Sequence, residues 1–354
     1  MNTSVGCKRI VERRAEVLAS ARAFFAQRNI LEVDCPALTQ NASVDVNIDL
    51  FTVVSPLHGT RYLFSSPEYA MKRLLSQGSG DIYYLGHVWR HEEAGRKHAP
   101  EFLMAEWYRI GLSFQEMIEE TLSFIETIIP KRHHTLLSYQ EAFQRYLNLD
   151  PFHTTREELL SACSDIEGYP LLESSTDDLL TLLLAIKIEP HFDEAALTVL
   201  YHYPPTQAAL ARHTVSQGHA VAERFEIYAG GLELANGYHE LADPVEQRKR
   251  LIEENETRKA KGKAPYPIDE PFLQALESNF PDCCGVAVGI DRLIMLAEKA
   301  SSIADIMLLP WTLNLSMHLQ AGHLSFVSRG YNELSEYPTS SAIRPSTTSL
   351  KSLE

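Results

Sequence analysis

The chain has 354 residues, 45% apolar and 22% charged, proportions of a soluble globular protein with core enough for one large domain or two medium ones. Lys and Arg total 32 against 47 Asp and Glu, and the resulting net charge of −15 argues against general affinity for a nucleic-acid backbone. No apolar run approaches the length of a membrane span, MNTSVGCKRIVERR lacks the apolar block of a signal peptide, and the five cysteines show no CxxC spacing. A cytoplasmic protein without membrane contact, disulfide framework or zinc site is expected.

Between Lys8 and Arg28, the residues Ile10, Val11, Val17, Leu18, Phe24 and Phe25 recur at helical spacing and predict a long amphipathic first helix that stops at Asn29. Ile30–Pro36 (ILEVDCP) reads as a strand ending at its proline, and extended segments with turn residues continue to about Phe64. After SSPEY, the run AMKRLLSQG predicts a helix closed by Gly78. Ile82–Trp89 (IYYLGHVW) is rich in β-branched and aromatic residues, and Glu101–Arg109 (EFLMAEWYR) alternates. The two predict a β-hairpin with a long charged loop at its tip, and long loops are more often functional than short ones.

From about 112 to 210 the chain is expected to be mostly helical, with Thr155 and Glu158 as a capping box before LLSAC. Two strands are expected within Glu223–Leu241, around a turn at 229–231. The mixed-charge run Glu246–Lys263 reads as a solvated helix face, and CCGVAVGIDRLIMLAEKA as a strand running into a helix. Tyr337–Glu354 is rich in Ser and Thr and is expected to be disordered. No repeat of 20–50 residues is apparent.

Three separated blocks place charge at the ends of apolar segments: SPEY with Glu68, VWRHEE with Arg90 and Glu92, and GIDR with Asp291 and Arg292. Side chains alternate along a strand, so Arg90 and Glu92 share one surface. Gly289 is expected to permit close backbone approach where a strand passes into a helix, beside Arg292, whose planar fork suits phosphate. Neither GxGxxG nor GxxxxGK[ST] occurs, so any nucleotide would be held by arginine clamps rather than by a glycine-rich cradle.

Arg-x-Glu at the start of a charged hairpin and Gly-x-Asp-Arg at a strand-to-helix junction resemble motifs 2 and 3 of class II aminoacyl-tRNA synthetases, and the first helix with the strand ending at Pro36 is similar to their motif 1. SPEYAMKRLL, HAPEFLMAEWY and GLELANGYHEL resemble the lysine-specific branch, over roughly residues 8–309. Within that branch the chain most resembles the elongation factor P lysine ligases, which lack the anticodon-reading domain. Motif 1 beginning within the first ten residues fits that truncation.

The resemblance implies an α+β fold, a class II catalytic core with a mainly antiparallel sheet flanked by helices. Residues 1–310 would form the catalytic domain, with a helical insertion at about 112–210, and 311–354 an atypical disordered tail. The implied cofactors are ATP and magnesium, and the implied partners are elongation factor P and (R)-β-lysine or lysine. A homodimer through motif 1 is expected, with no anticodon-reading contact to tRNA.

Carried over by residue, the resemblance gives Arg90 the α-phosphate and substrate carboxylate, Glu92 the adenine amino group, and His98 the distal phosphates. Phe102 would stack on one adenine face and Arg292 on the other while holding the γ-phosphate. Glu226 and Glu233 would be magnesium carboxylates, their spacing suiting two antiparallel strands. Glu68 and Glu106 would surround the backbone-side amine of the substrate, Tyr108 and Glu240 its ε-ammonium, with Asn236 nearby. Ala287 stands where lysyl-tRNA synthetases of this pattern have Gly, and would narrow the space around the α-amino group. His91 and Ala99 depart from the Asn residues expected at those two places. A truncated lysyl-tRNA synthetase paralogue acting on tRNA, an ammonia-dependent amide ligase of the same fold, and a non-catalytic regulatory paralogue remain alternatives.

Overall fold

The computed structural model of the protein describes residues 3–311 apart from residue 92, and side chains from residue 8 onward. Glu92 and the Ser- and Thr-rich Tyr337–Glu354 lie outside the described residues, as does the rest of the expected tail beyond Trp311. The chain opens with helix α1 (Thr3–Ala26), the short strands β1 (Leu31–Glu32) and β2 (Leu38–Thr39), and the hairpin β3 (Thr52–Ser55) and β4 (Gly59–Leu63). Helix α2 (Glu68–Ser76) leads to the long hairpin β5 (Ile82–Trp89) and β6 (Glu101–Ile110). Then come α3 (Phe114–Ile125), β7 (His133–Ser138), α4 (Tyr139–Leu147), α5 (Arg156–Ala162), α6 (Thr176–Leu183) and β8 (Ala196–Tyr203). The last third comprises β9 (His213–Ser216), β10 (His219–Ala229), β11 (Leu232–His239), α7 (Pro244–Ala260), α8 (Glu270–Glu277), β12 (Cys283–Gly289) and α9 (Ile290–Glu298).

Among the described residues, nine strands form one sheet in the order β1-β5-β6-β12-β11-β10-β8-β7, with β9 on β10, and β2-β4-β3 form a second, small sheet. Only the β1–β5 and β7–β8 pairs of the large sheet are parallel. The expected α+β core with a mainly antiparallel sheet is therefore what the chain builds. Among the described residues no helix is long and apolar enough to cross a membrane.

Alternation along β6 separates the two faces of the sheet. Leu103, Ala105 and Trp107 point to a core shared with α1, α3 and α9. On that side Phe25 of α1 stacks on Tyr83 at 4.0 Å between ring centroids and meets Trp107 at 5.3 Å. Met104 and Tyr108 point the other way, Tyr108 packing with Met71 and Leu75 of α2. Helix α1 ends as its sequence predicts: Asn29 adopts the left-handed conformation at φ 56°, and the Ile30 amide returns to the Phe25 carbonyl at 3.1 Å.

Three expectations need correction. The strand foreseen over Ile30–Pro36 is regular only at Leu31–Glu32, an exposed parallel edge on β5. The segment at 112–210, expected to be a mostly helical insertion, also carries β7 and β8, which extend the main sheet beyond β10. Ala196–Tyr203 (ALTVLYHY) has its first five residues buried, so it lacks the period-2 signal by which a strand is distinguished from a buried helix. The Thr155–Glu158 capping box does form, alongside others at Ser113, Ser138 and Ser175. Finally, the mixed-charge helix α7 is not wholly a solvated face: Arg258 is buried, donating to the carbonyls of Asp45 and Ala264 and to Asp49 Oδ1 at 2.8 Å.

The Asp of GIDR belongs to this framework. Asp291 is buried at the start of α9, where its carboxylate accepts from the Leu103 amide of β6 at 2.7 Å and pairs with Arg14 of α1 at 2.5 Å. One carboxylate thus joins three elements behind the sheet. Asp291→Ala leaves the largely buried Arg14 guanidinium without that partner and is expected to cost about 3–5 kcal/mol of stability. Urea unfolding followed by circular dichroism should show a clearly lower midpoint; a loss below about 1 kcal/mol would contradict the assignment.

Candidate active site

Strand register places the candidate residues in two adjacent rows across the face of the sheet opposite α1. The first row runs Tyr84, Glu106, Ala287, Asn236, Glu226 from β5 to β10, each the direct cross-strand neighbour of the next. The second runs Ile82, Tyr108, Gly285, Tyr238, Arg224. Residues separated by up to 203 positions in sequence therefore line one surface because their strands are in register.

At one end of these rows three carboxylates converge. Glu106 and Glu240 are buried, and Glu68 at the first position of α2 is nearly so. Glu106 accepts from the Ser66 hydroxyl at 2.7 Å and the Tyr108 hydroxyl at 2.9 Å. Lys72, one helical turn after Glu68 and fully buried, lies 2.7 Å from Glu68 Oε1 and 2.5 Å from Glu240 Oε2. Burial, reinforced by the charge of Glu68, pushes the Glu106 carboxyl up to about 8 despite its two hydrogen bonds. Burial likewise raises Glu240 to about 7, with Lys72 opposing and Glu68 adding. Burial disfavours the Lys72 ammonium, but the two carboxylates outweigh it and hold the amine charged. A buried, partly protonated carboxylate cluster is the environment that an incoming ammonium group would complete.

The backbone makes room for this cluster at Gly285. A methyl group there would lie closer than 3.0 Å to both Glu240 Oε1 and the Tyr108 ring. Gly289, for which the sequence suggested the same function, has an extended backbone, and a Cβ there would meet only the Arg292 side chain at ordinary contact distance. The close approach thus belongs to Gly285, four residues earlier. Further along the first row, the Asn236 carbonyl oxygen is buried with no hydrogen-bond partner among the described residues, an acceptor facing the space over the sheet.

The other end is cationic. Arg90 stands over the Phe102 ring at 5.1 Å from the centroid and 3.7 Å from Glu93, and its Nε is buried without a hydrogen-bond partner among the described residues. Arg292 of α9 donates to the Glu233 carbonyl at 2.9 Å, lies 3.5 Å from the Glu233 carboxylate and meets His98 Nε2 at 2.7 Å. Lys97 reaches the Gly231 carbonyl at 3.1 Å, and burial with the neighbouring Arg292 charge lowers its affinity for a proton. Glu226 is buried and bonded to Arg224 and to the Tyr228 hydroxyl; Tyr228 is in turn the cross-strand neighbour of Glu233. Glu226 and Glu233 thus sit on adjacent antiparallel strands, joined through a turn with Gly230 at φ 56°, as their spacing suggests.

The structure brings together Glu68, Glu106, Tyr108 and Glu240 at one end, Ala287, Asn236 and Glu226 along the middle, and Arg90, Phe102, His98, Glu233 and Arg292 toward the other. Within the first four, Lys72 ties Glu68 to Glu240, and Tyr108 donates to Glu106. Arg90 covers the Phe102 ring. The departures at His91 and Ala99 have structural partners, His91 bonding through its amide to the Asp49 carbonyl at 2.7 Å and Ala99 packing in the core. Sequence reading passed over Lys72, Ser66, Arg224, Tyr228 and Gly285. Only Lys72 carried a signal, as the i+4 partner of Glu68 on a helix.

Two comparisons bear on this arrangement. The chain matches the class II tRNA synthetases (D, K and N) over residues 3–313. It is 44% identical over 304 residues to the elongation factor P–(R)-β-lysine ligase of Photorhabdus laumondii subsp. laumondii, covering 83% of this chain and 93% of that protein. The proteins of the same name from Salmonella dublin and Salmonella paratyphi B are 42% identical over 301 residues, covering 83% of this chain and 92% of theirs.

Gly285 gives a direct test of the cluster. Gly285→Ala forces Tyr108 and Glu240 apart, an overpacking that typically costs about 1–3 kcal/mol, so affinity for lysine as a diamine probe should fall about tenfold or more. Calorimetric titration checks it against ATP affinity, which should change little; equal lysine affinity in the variant would show that the cluster does not bind ammonium.

Proposed function

The chain belongs to the class II tRNA synthetases of the D, K and N group and, within them, to the elongation factor P–(R)-β-lysine ligase family, and from that premise we propose that it activates (R)-β-lysine with ATP and joins it to a lysine side chain of elongation factor P. The observation that carries the reading is the convergence of Glu68, Glu106, Tyr108 and Glu240 in one buried cluster, on the same sheet face as the Arg90 and Arg292 end. A diamino acid presents ammonium groups to the first and a carboxylate to the second.

In the first step a substrate carboxylate oxygen attacks the α-phosphorus in line, the bond to the β-phosphate bridge breaks, and pyrophosphate leaves. Arg90 would hold the α-phosphate and carboxylate together, while Arg292, seated between Glu233 and His98, would take the distal phosphates. In the second step the acceptor lysine amine attacks the adenylate carbonyl, an amide forms and AMP departs with the former acyl oxygen. No protein nucleophile is required. The acid end of the pocket and the basic end of the hairpin fix the two ends of one small molecule, which is how the geometry limits the reacting atoms to one arrangement.

Magnesium fits the donor set. Among the described residues no group of three or more His, Cys, Asp or Glu side chains forms a metal cage. Glu226 and Glu233 instead offer hard carboxylate oxygens on neighbouring strands, and magnesium commonly takes one or two carboxylates with phosphate oxygens and water. These two residues would hold it, and bound there it would neutralise charge on the leaving pyrophosphate. A homodimer through α1 and β1 is also part of the proposal, supported by the exposed apolar Val11 and Leu31 and by the position of β1 at the sheet edge.

Ala287 supports the choice of β-lysine. Its methyl lies in the first row between Glu106 and Asn236, half-buried, where a substrate amine passes over the sheet. Moving that amine by one carbon changes whether it meets the methyl, and a contact of this size is worth about 1–3 kcal/mol.

The decisive experiment is the intact mass of elongation factor P after incubation with the protein, ATP and (R)-β-lysine, where addition of one lysyl group is expected. Arg292→Ala should abolish the product and lower pyrophosphate exchange about 10²-fold or more with the fold retained; exchange within a few-fold of wild type would sink the assignment. Separately, Ala287→Gly should raise kcat/KM for α-lysine chiefly, relaxing a preference for (R)-β-lysine. An unchanged ratio of the two specificity constants means that the methyl does not read the amine.

A further inference from the structure

Lys72 has no task in the reaction just described, yet it is the fully buried cation at the centre of the acid cluster. The groups that face it are Glu68 and Tyr69 from its own helix, Glu240 beyond β11, Cys283 of β12, and the Phe272 ring of α8 at 5.9 Å, while Glu106 and Tyr108 of β6 and Tyr238 of β11 interact with those same carboxylates, Glu68 and Glu240. The tyrosines and the cysteine are all raised by burial and stay neutral near pH 7. The local charge is therefore set by three carboxylates and one ammonium.

Once incoming ammonium groups draw all three carboxylates out of the partly protonated state, one fixed cation leaves the cluster two positive charges short. A lysine or β-lysine brings two ammonium groups, and its carboxylate goes to the arginine end. We propose that Lys72 is a positioning residue that supplies the third positive charge of a three-against-three balance, holding Glu68 and Glu240 in place so that two substrate ammonium groups, rather than one, complete the cluster. This rests on the reading of the pocket as the lysine site. Selectivity for a diamino acid then follows from charge: an amino acid of similar shape with one amine, such as norleucine, leaves a buried carboxylate that must stay protonated or unpaired.

Geometry supports a positioning role over simple support of the helix. Lys72 bridges α2 to the residue after β11, two elements far apart in sequence, and Gly285 keeps the other oxygen of Glu240 turned toward Tyr108. An aliphatic side chain would fill the same volume on α2 but would leave Glu68 and Glu240 facing each other without a counter-ion. A neighbouring cation lowers a carboxyl by about 1–3 pH units. Without it, Glu240 keeps its proton to higher pH, and the substrate ammonium groups lose an anion they need.

The test is lysine-dependent and (R)-β-lysine-dependent pyrophosphate exchange as a function of pH for wild type, Lys72→Met and Lys72→Arg. In Lys72→Met the acid limb of kcat/KM for the amino acid should move up by about one unit or more, and KM for the amino acid at pH 7 should rise about tenfold or more, while KM for ATP stays within a few-fold. Lys72→Arg, which keeps the charge, should leave the limb at its wild-type position. An unmoved limb in folded Lys72→Met overturns the proposal. If that variant does not fold, an acid limb displaced upward in folded Lys72→Arg despite its charge overturns it, and a limb at the wild-type position supports it. Wild-type protein that exchanges with neither amino acid refutes the lysine-activating reading itself, a failure separate from that of Lys72.

Discussion

Three carboxylates withdrawn from water on one face of a sheet repel one another, and burial alone already opposes their charge. The fold tolerates Glu68, Glu106 and Glu240 because each has a specific partner: the Lys72 ammonium between Glu68 and Glu240, and the Ser66 and Tyr108 hydroxyls on Glu106. The arrangement constrains its surroundings. Gly285 has no side chain because Tyr108 and Glu240 fill the space where one would stand. Helix α2 must begin at Glu68 for Lys72 to fall one turn later on the same face. The carboxylates are thus stabilised enough to fold, on the sheet face that in the proposed reading takes a diamine.

The opposite face of the sheet answers a different requirement. There the residues alternating with Glu106 and Tyr108 are Ala105 and Trp107, packed with Phe25 and Phe124, and the one buried acid at the start of α9 is Asp291, held by Arg14 and the Leu103 amide. Asp291 and Arg292 are adjacent in sequence but serve opposite sides, since consecutive positions at a helix start point about 100° apart. Asp291 ties α1 to the sheet, and Arg292 reaches over it to Glu233 and His98. A short charged motif therefore joins framework and chemistry at one junction.

The hairpin of β5 and β6 links the two ends of the site. Its strands supply Glu106 and Tyr108 near the base and Phe102 near the tip, and the loop beyond returns Lys97 and His98 to Arg292 and the β10–β11 turn. Because the strands are rigid and paired on both sides, the distance from the acid pocket to the arginines is fixed by strand rise rather than by a flexible linker. In the proposed reading, a ligand with ammonium groups at one end and a carboxylate at the other would be measured against that length.

The sequence by itself determined the local parts: the first helix and its stop at Asn29, the β5–β6 hairpin, the turn between Glu226 and Glu233, the passage from β12 into α9, and the order of the charged blocks from which the family was legible. Each is written in periodicity, a turn residue or a contiguous motif, signals that act over a few residues. What tertiary structure decided was which distant residues meet. Gly285 rather than Gly289 is the glycine that proximity requires, because Tyr108 and Glu240 reach β12 from two other segments. Lys72 reads as an ordinary amphipathic-helix lysine until Glu240, 168 positions later, is brought 2.5 Å from it. Buried β8 gave no alternation to distinguish it from helix, and Arg258, in a run that reads as solvated, was buried by the Asp45–Asp49 segment folding over it. Charge and burial are properties of neighbourhoods, and in this chain those neighbourhoods are assembled by strand register, which no local stretch of sequence specifies.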